Sequence, residues 1–307
     1  MRGCIFDEME RLAYAITLNW NSINYTAKWA DSILASDYAN LKVLVVDNGF
    51  SHDSYRVLNE LSSRIEIIKN SENLGASGGF NVGIKAALKN SADYIFISNN
   101  DTYIDRECLS RLISFVRNKR GAGLVAPKIY LEGTKVFYTA GAPSIYYPFG
   151  TRGYGQPDVG QFDKPKRLEW TLSTGLLVSK RVFEKVGFFD EDYFIYFEDF
   201  DFSRRAYKAG FDIWYCPDAV MWHKPKQSTG LLSNIQVYYS TRNALLVTRK
   251  VERENLFYSF LACIFTVVKF PLVIALSLAK GDISPVKYYF LALKDFFSKR
   301  LGKCSQL

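Results

Sequence analysis

Over its first hundred residues the chain alternates short apolar runs with amphipathic stretches, and few folds accept that pattern. Ala13–Trp20 reads as a strand and Thr26–Ser36 as a helix. Leu41–Val46 is a run of apolar and β-branched residues closed by Asp47-Asn48-Gly49, the mark of a buried strand. Asp53–Ser62 reads as a helix, Ile65–Ile68 as a short strand, Gly79–Leu88 as a helix, Tyr94–Ser98 as a strand and Arg106–Arg117 as a helix. Strands separated by helix-length segments pair in parallel through crossovers. The pattern therefore predicts an α/β fold with a mainly parallel central sheet and helices on both faces. Ligands bind such sheets beyond the carboxyl ends of the strands. The unusual polar residues lie there: Asn19, Asp47 and Asn99-Asn100-Asp101.

Past residue 120 the alternation loosens. Thr139–Lys164, rich in Gly, Pro and aromatics, reads as a long loop. Trp170–Ser179 reads as a strand, Phe200–Ala209 as a helix, Ile213–Cys216 as a short strand, and Ile235–Arg249 as a helix ending in a basic cluster. The segment Leu256–Ala279 is apolar apart from Lys269 and carries Pro271 near its middle. It has the roughly 20 residues that a bilayer crossing takes. Both flanks are basic, however, and a single crossing would leave one of them outside. Pro271 is expected to break the segment into two short interfacial helices or a re-entrant hairpin. Val286, Phe290, Leu293, Phe297 and Leu301 share one helical face with lysines opposite, which fits a helix lying in a membrane surface. A soluble helical layer or a dimer contact would use the same residues.

Charge placement agrees. The net charge is +8, from 39 basic and 31 acidic residues, and Arg249–Lys303 alone holds ten Lys/Arg against four Asp/Glu. A basic tail facing an anionic membrane is expected, with no nucleic-acid partner. The five cysteines are scattered without a C-x-x-C pair, which argues against a disulfide framework or zinc site and fits a reducing compartment. The mixed-charge start, Met1–Arg11, carries no apolar core of a secretory signal.

Several residues carry chemistry. Asp101, closing a strand, could hold a divalent cation against a diphosphate, and the neutral Asn99 and Asn100 could bond a ribose. The same letters also describe an ordinary Asx turn. Asp47 could accept from the imide N–H of uracil or thymine. The run Asn73–Asn81 opens a helix, where Gly75 and Gly79 would let backbone approach a ligand and the helix N-terminus would attract phosphate. It also matches G-x-S-x-G, making Ser77 a candidate nucleophile with Asp199 and His223. Polar residues separate it from its strand, unlike a nucleophile elbow. Three acids, Glu198, Asp199 and Asp201, sit at one helix start, more than a cap requires, and one could be a general base. His223 could complete a metal site with Asp101, and Arg242 could neutralise a pyrophosphate.

The ordered set of Leu18-Asn19-Trp20-Asn21, Val45–Gly49, Asn73–Gly83, Asn99-Asn100-Asp101, Thr174-Gly175, Tyr193–Asp201, Trp222-His223-Lys224 and Thr241-Arg242-Asn243 resembles the inverting family 2 glycosyltransferases of GT-A fold. Within these it is most similar to the bacterial rhamnosyltransferase-like branch that builds cell-surface polysaccharides. The resemblance implies a catalytic domain over 1–250, with a nucleotide-binding half at about 13–130 and an acceptor-binding half at about 131–250. A basic, membrane-associating helical region over 251–307 follows. It implies that Leu18, Asn19 and Asp47 hold the pyrimidine and Asn100 faces the ribose. Asp101 and His223 would hold Mg²⁺ or Mn²⁺, and Asp199 would act as base with Glu198 supporting the acceptor side. Trp170, Thr174 and Gly175 would line the acceptor pocket. The donor would be dTDP-rhamnose first, then UDP-hexoses or UDP-galactofuranose. The acceptor would be lipid-linked or a growing polysaccharide, at the cytoplasmic membrane face, with a homodimer possible. Where a D-x-D pair is usual the chain has Asn99-x-Asp101, one carboxylate fewer. Two other readings stand beside this one: a Ser77 esterase and a non-catalytic nucleotide-sugar-binding subunit.

Overall fold

The structure is a computed structural model that describes residues 11–49, 60, 65–142, 151–225, 233–253 and 255–307. The helix expected over Asp53–Ser62 and the segment Met1–Met9 lie outside the described residues, apart from Glu60. Ten strands form one sheet: β1 (Ala13–Asn19), β2 (Leu41–Asp47), β3 (Ile65–Lys69), β4 (Tyr94–Ser98), β5 (Thr102–Ile104), β6 (Ala122–Leu131), β7 (Phe137–Thr139), β8 (Lys166–Leu168), β9 (Gly175–Ser179) and β10 (Asp212–His223). Their order is β3-β2-β1-β4-β9-β6-β10-β5, with β7 on β6 and β8 on β10. The pairs β3–β2, β2–β1, β1–β4 and β6–β10 are parallel, while β9 runs antiparallel to both β4 and β6.

Helices cover both faces. On one, α1 (Ile23–Leu34) buries Trp29, Ala30 and Ile33, and α3 (Cys108–Asn118) buries Leu109, Leu112, Ile113 and Val116. On the other lie α2 (Gly75–Lys89), α4 (Lys180–Val186) and α5 (Glu198–Lys208), which pack Phe80, Ile84, Val182, Phe183 and Phe202 on Ile16, Leu44 and Ile97. Each such side chain removed from water stabilises the fold by roughly 1.5–3 kcal/mol.

Among the boundaries that differ from the sequence expectation, four have a visible cause. The second helix starts at Gly75 rather than Gly79, because Asn48 Oδ1 accepts from Leu74 N and Asn73 Oδ1 from Gly75 N. The loosening after residue 120 conceals the ten-residue strand β6, whose charged Lys128 is neutralised by Asp158 and Asp163 at 2.9 and 2.5 Å. Strand β9 begins only at Gly175, since the backbone at Thr171 and Ser173 is engaged by Ser203 and Asp199 instead. Strand β10 continues past Cys216, through a bulge, to His223.

Three further helices close the chain: α6 (Asn234–Lys250), α7 (Leu256–Lys280) and α8 (Ser284–Phe297). Pro271 does not break α7, which runs through it as one helix. Its buried side docks on α6: Lys269 Nζ donates to Val237 O, Ser240 Oγ and Thr241 Oγ1, and Val273 packs with Val237 and Tyr289. Its other side leaves Phe257, Phe260, Ile264, Val267, Val268 and Leu272 exposed. Leu301 falls beyond the end of α8, and Val286 and Leu293 are half-buried against α7, so only Phe290 and Phe297 of the expected α8 stripe are exposed. Among the described residues, α7 alone is long and apolar enough to cross a membrane, over Ser259–Lys280 with mean hydropathy 2.3.

Candidate active site

The site gathers at the carboxyl ends of β1, β2 and β4 and at the His223 end of β10. Strand β5 follows Asp101 directly and pairs antiparallel with the end of β10, placing Thr102 opposite His223. That pairing brings together residues more than a hundred positions apart. His223 Nε2 lies 3.2 Å from Asp101 Oδ1, and Lys224 N donates to Asp101 O. His223 is buried, and its Nδ1 has no hydrogen-bond partner among the described residues. An oxygen and a nitrogen about 3 Å apart suit neighbouring ligands of one cation with bonds of ~2.1 Å. No cluster of three or more His, Cys, Asp or Glu able to hold a metal occurs among the described residues. A cation here would draw its remaining ligands from water and phosphate, as Mg²⁺ and Mn²⁺ commonly do. The donor pair therefore fits such an ion.

The register of β1 on β2 sets Asn19 beside Asp47. A directed chain of hydrogen bonds ends there. Asn100 Nδ2 donates to Thr26 Oγ1 (2.8 Å), Thr26 Oγ1 to Asn19 Oδ1 (2.9 Å) and Asn19 Nδ2 to Asp47 Oδ1 (2.9 Å). Asp47 Oδ2 is buried with no partner among the described residues, an acceptor open to a further donor. Burial raises the Asp47 carboxyl above the usual range, against the Asn19 bond and the Lys69 charge. Thr26 is the member sequence reasoning missed; it lies one turn into α1 with no motif to mark it.

The acids at the start of α5 are delivered by a strained loop. Phe194, Tyr196 and Phe197 all have positive φ, at 63°, 66° and 73°. Each such bulky residue costs on the order of 1 kcal/mol, so the conformation must be held from outside. Asn243 of α6 holds it: the two hydrogens of its Nδ2 are shared among the carbonyls of Tyr193, Ile195 and Tyr196, each 2.8–2.9 Å away. Arg242 adds bonds to Asp192 O and Tyr193 O, and Ser77 N donates to Phe194 O. A polar Arg-Asn pair inside a buried helix was the available signal for this clamp.

Of the three acids, Asp201 is committed to Arg205 Nε and the Tyr193 hydroxyl. Asp199 accepts from Ser173 N (3.3 Å) and Phe200 N (2.8 Å), and burial pushes its carboxyl up to about 6 despite those bonds. Glu198 is pushed well above the ordinary carboxylate range by burial and by the Asp199 charge, and its Oε2 has no partner among the described residues. A helix N-terminus favours ionisation by roughly 0.3–1 kcal/mol, so desolvation outweighs the dipole here.

Ser173–Gly175 joins the two sides. Ser173 N reaches Asp199, Thr174 O accepts from Asn99 N, and Gly175 pairs with Ser98. Tyr138 of β7 lies above this segment. Its ring meets His223 edge-on at 4.4 Å, and Thr174 bonds its hydroxyl.

Other expected residues serve the framework. The Arg242 guanidinium is fully buried on the carbonyls of Asp192, Tyr193 and Gly302 and on Asn243 Oδ1, so it is not open to a pyrophosphate. Gly75, at φ +72°, faces Phe194 O, which an added Cβ would meet at 2.3 Å. A Cβ at Gly79 would meet Leu18 and Asn48 at 3.0 Å, so this glycine serves close packing of helix on sheet. With Leu74 N, Gly75 N and Ser77 N already bonded, the start of α2 is no open phosphate cradle. Trp170 is buried against Phe200, and Gly175 faces Met221, so neither lines an open acceptor pocket. Leu18 is half-exposed and lines, with Trp20, Asn48, Gly75, Ile195 and Tyr239, a mainly apolar cavity of about 210 Å³. Ser77 is sealed inside α2 with its hydroxyl unpartnered, while His223 meets Asp101 and Asp199 meets Ser173 and Phe200. No hydrolase triad forms.

The family model for glycosyl transferase family 2 matches residues 14–197, three-fifths of the chain. The chain is 28% identical over 270 residues to dTDP-rhamnosyl transferase RfbF of Shigella flexneri, covering 83% of this chain and 86% of that one. It is 27% identical to an N-acetylglucosaminyl-diphospho-decaprenol L-rhamnosyltransferase of Mycobacterium tuberculosis, covering 62% and 68%. In fold it is similar to mannosyltransferase PcManGT of Pyrobaculum calidifontis in complex with GDP-Man and Mn²⁺. The TM-score is 0.58 at 14% identity, over 95% of this chain and 88% of that one. It is also similar to S. aureus TarS in complex with UDP-GlcNAc, with a TM-score of 0.61 at 15% identity, over 93% and 80%.

Proposed function

The chain belongs to glycosyl transferase family 2 and is a glycosyltransferase of GT-A fold, and on that premise we propose that it transfers a deoxyhexose, rhamnose, from a dTDP-linked donor to a hydroxyl of a lipid-linked envelope glycan. Similarity to the two rhamnosyltransferases supports the donor and the acceptor class. The single observation that carries the mechanism is the Ser173–Gly175 segment, which ties the Asp199 carboxylate to the Asn99–Asp101 corner.

Asp47 Oδ2 accepts the imide N–H of thymine, and Asn100 bonds the ribose. Asp101 and His223 would hold Mn²⁺ or Mg²⁺, whose charge would offset that growing on the departing diphosphate. Asp199, ionised above pH ~6, takes the proton of the acceptor hydroxyl. The acceptor oxygen bonds the anomeric carbon from the face opposite the diphosphate, the bond to the diphosphate oxygen breaks, and configuration inverts. Burial and the Asp199 charge favour the protonated form of Glu198, which supports the acceptor side.

The membrane reading rests on α7. Its exposed apolar face and the surrounding lysines suit an anionic surface at the cytoplasmic side. Lysine 269, midway along the helix, is bonded to α6, whose next residues support the base loop. A spanning α7 would carry α6 into the bilayer centre, so the helix lies on the membrane.

Calorimetric titration with dTDP and UDP, each with and without Mn²⁺, tests the reading. Metal-dependent binding of dTDP is expected. No binding of either nucleotide under any metal condition would overturn the nucleotide site.

A further inference from the structure

We propose that Tyr138 is a donor-sugar contact, its phenol orienting the transferred sugar between the departing diphosphate and the attacking hydroxyl. This rests on the reading of Asp101 and His223 as the diphosphate side and Asp199 as the base. An in-line displacement fixes where the sugar lies. The anomeric carbon must stand between leaving oxygen and attacking oxygen, so the ring spans from the Asp101–His223 corner toward Asp199.

Tyr138 occupies that interval. Its ring abuts His223 with centroids 4.4 Å apart at 78°, and its hydroxyl feels the charges of both Asp101 and Asp199. Thr174, which bonds the phenol, follows directly on Ser173, whose N–H donates to Asp199. Tyr138 is held from behind as well. Thr151 Oγ1 donates to its backbone carbonyl at 2.5 Å, and the Tyr154 ring stands edge-on to its ring at 6.0 Å. A stiff aromatic with two torsions, fixed on two sides and ending in a hydroxyl, suits recognition of a sugar at low entropic cost. A phenol can both donate and accept, so it can bond a sugar hydroxyl in either sense. Strand β7 carries no catalytic motif, so its sequence gave no sign of this role.

Tyr138→Phe removes only the hydroxyl and keeps the ring against His223. The experiment titrates wild type and variant with dTDP and with dTDP-rhamnose, both with Mn²⁺, and follows transfer. Loss of one hydrogen bond predicts dTDP affinity within about twofold of wild type and dTDP-rhamnose affinity reduced about fivefold to tenfold. The rate of transfer at saturation should fall as well. Wild-type affinity for dTDP-rhamnose together with wild-type transfer would refute Tyr138 as a sugar contact. Equal weakening of dTDP and dTDP-rhamnose would also refute it, showing a packing role at His223. If wild type binds neither, the underlying nucleotide reading fails and the proposal falls with it, a result distinct from the other two.

Discussion

Replacing Asp199 by Asn should make the protein more stable while it loses turnover. The carboxyl is 8% exposed and its affinity for a proton is raised from 3.8 to about 6. A carboxylate whose folded value lies above its unfolded value binds more protons when folded. Its ionisation therefore opposes folding, and stability falls as pH rises from the unfolded value to the folded one. The two values differ by about two units at ~1.4 kcal/mol each, so the ionised group costs about 3 kcal/mol at pH 8. At pH 5, where the folded group is mostly protonated, the same linkage leaves roughly 1.5 kcal/mol. Asparagine carries no charge and keeps an oxygen for Phe200 N, but Ser173 N, which bonds the other carboxylate oxygen, loses its acceptor at a cost of about 1 kcal/mol. The assay is denaturant unfolding of both proteins at pH 8 and pH 5. The variant should gain about 2 kcal/mol at pH 8 and about 0.5 kcal/mol at pH 5, and transfer should be abolished while dTDP binding persists. A stabilisation equal at both pH values, or none at pH 8, would refute the claim that this carboxylate is ionised at a cost. Retained transfer would remove it from the role of base.

Asn243→Ala deletes two N–H donors shared among three carbonyls of a loop with three positive-φ residues, and the acceptor of Arg242 Nε. It should cost about 3 kcal/mol in unfolding experiments and lower kcat by about 10²-fold, with nucleotide affinity little changed. An unchanged kcat would show that the loop holds itself. Phe260→Glu with Val267→Glu, at positions 61% and 69% exposed, should shift stability by under about 1 kcal/mol and release the protein from anionic vesicles in a sedimentation assay. Undiminished sedimentation would rule out the α7 face as the membrane contact.

The strand-and-helix alternation made β1, β2, β4, α1 and α3 readable, because the strands are near-continuous apolar runs closed by polar turn residues and the helices bury one periodic face. Strand β6 was not, because Pro127 and Lys128 interrupt its apolar run. Asp101 and His223 could be nominated from the sequence, but their 3.2 Å approach depends on β5 folding back onto β10, and no local pattern encodes that pairing. Arg242 was misread because charge on a helix suggests a ligand, whereas complete burial against carbonyls makes it a backbone brace. The glycines of α2 were likewise read as room for a ligand and are filled by Phe194 and Leu18. Thr26 and Tyr138 had no signal, since each acts through neighbours distant in sequence.

The guanidinium of Arg242 grips Asp192 O and Tyr193 O with one nitrogen and Gly302 O with another. One cation thus splices the loop ahead of the base to the segment after α8. Cutting the chain at residue 250 would strip that nitrogen of its acceptor and bare Tyr238 and Tyr239, which pack on Ala292 and Cys304. The change in composition near residue 250 is accordingly a seam between two environments within one mechanical unit. On the proposed lipid surface, a tilt of the apolar helices would be transmitted through this splice to the geometry of Asp199.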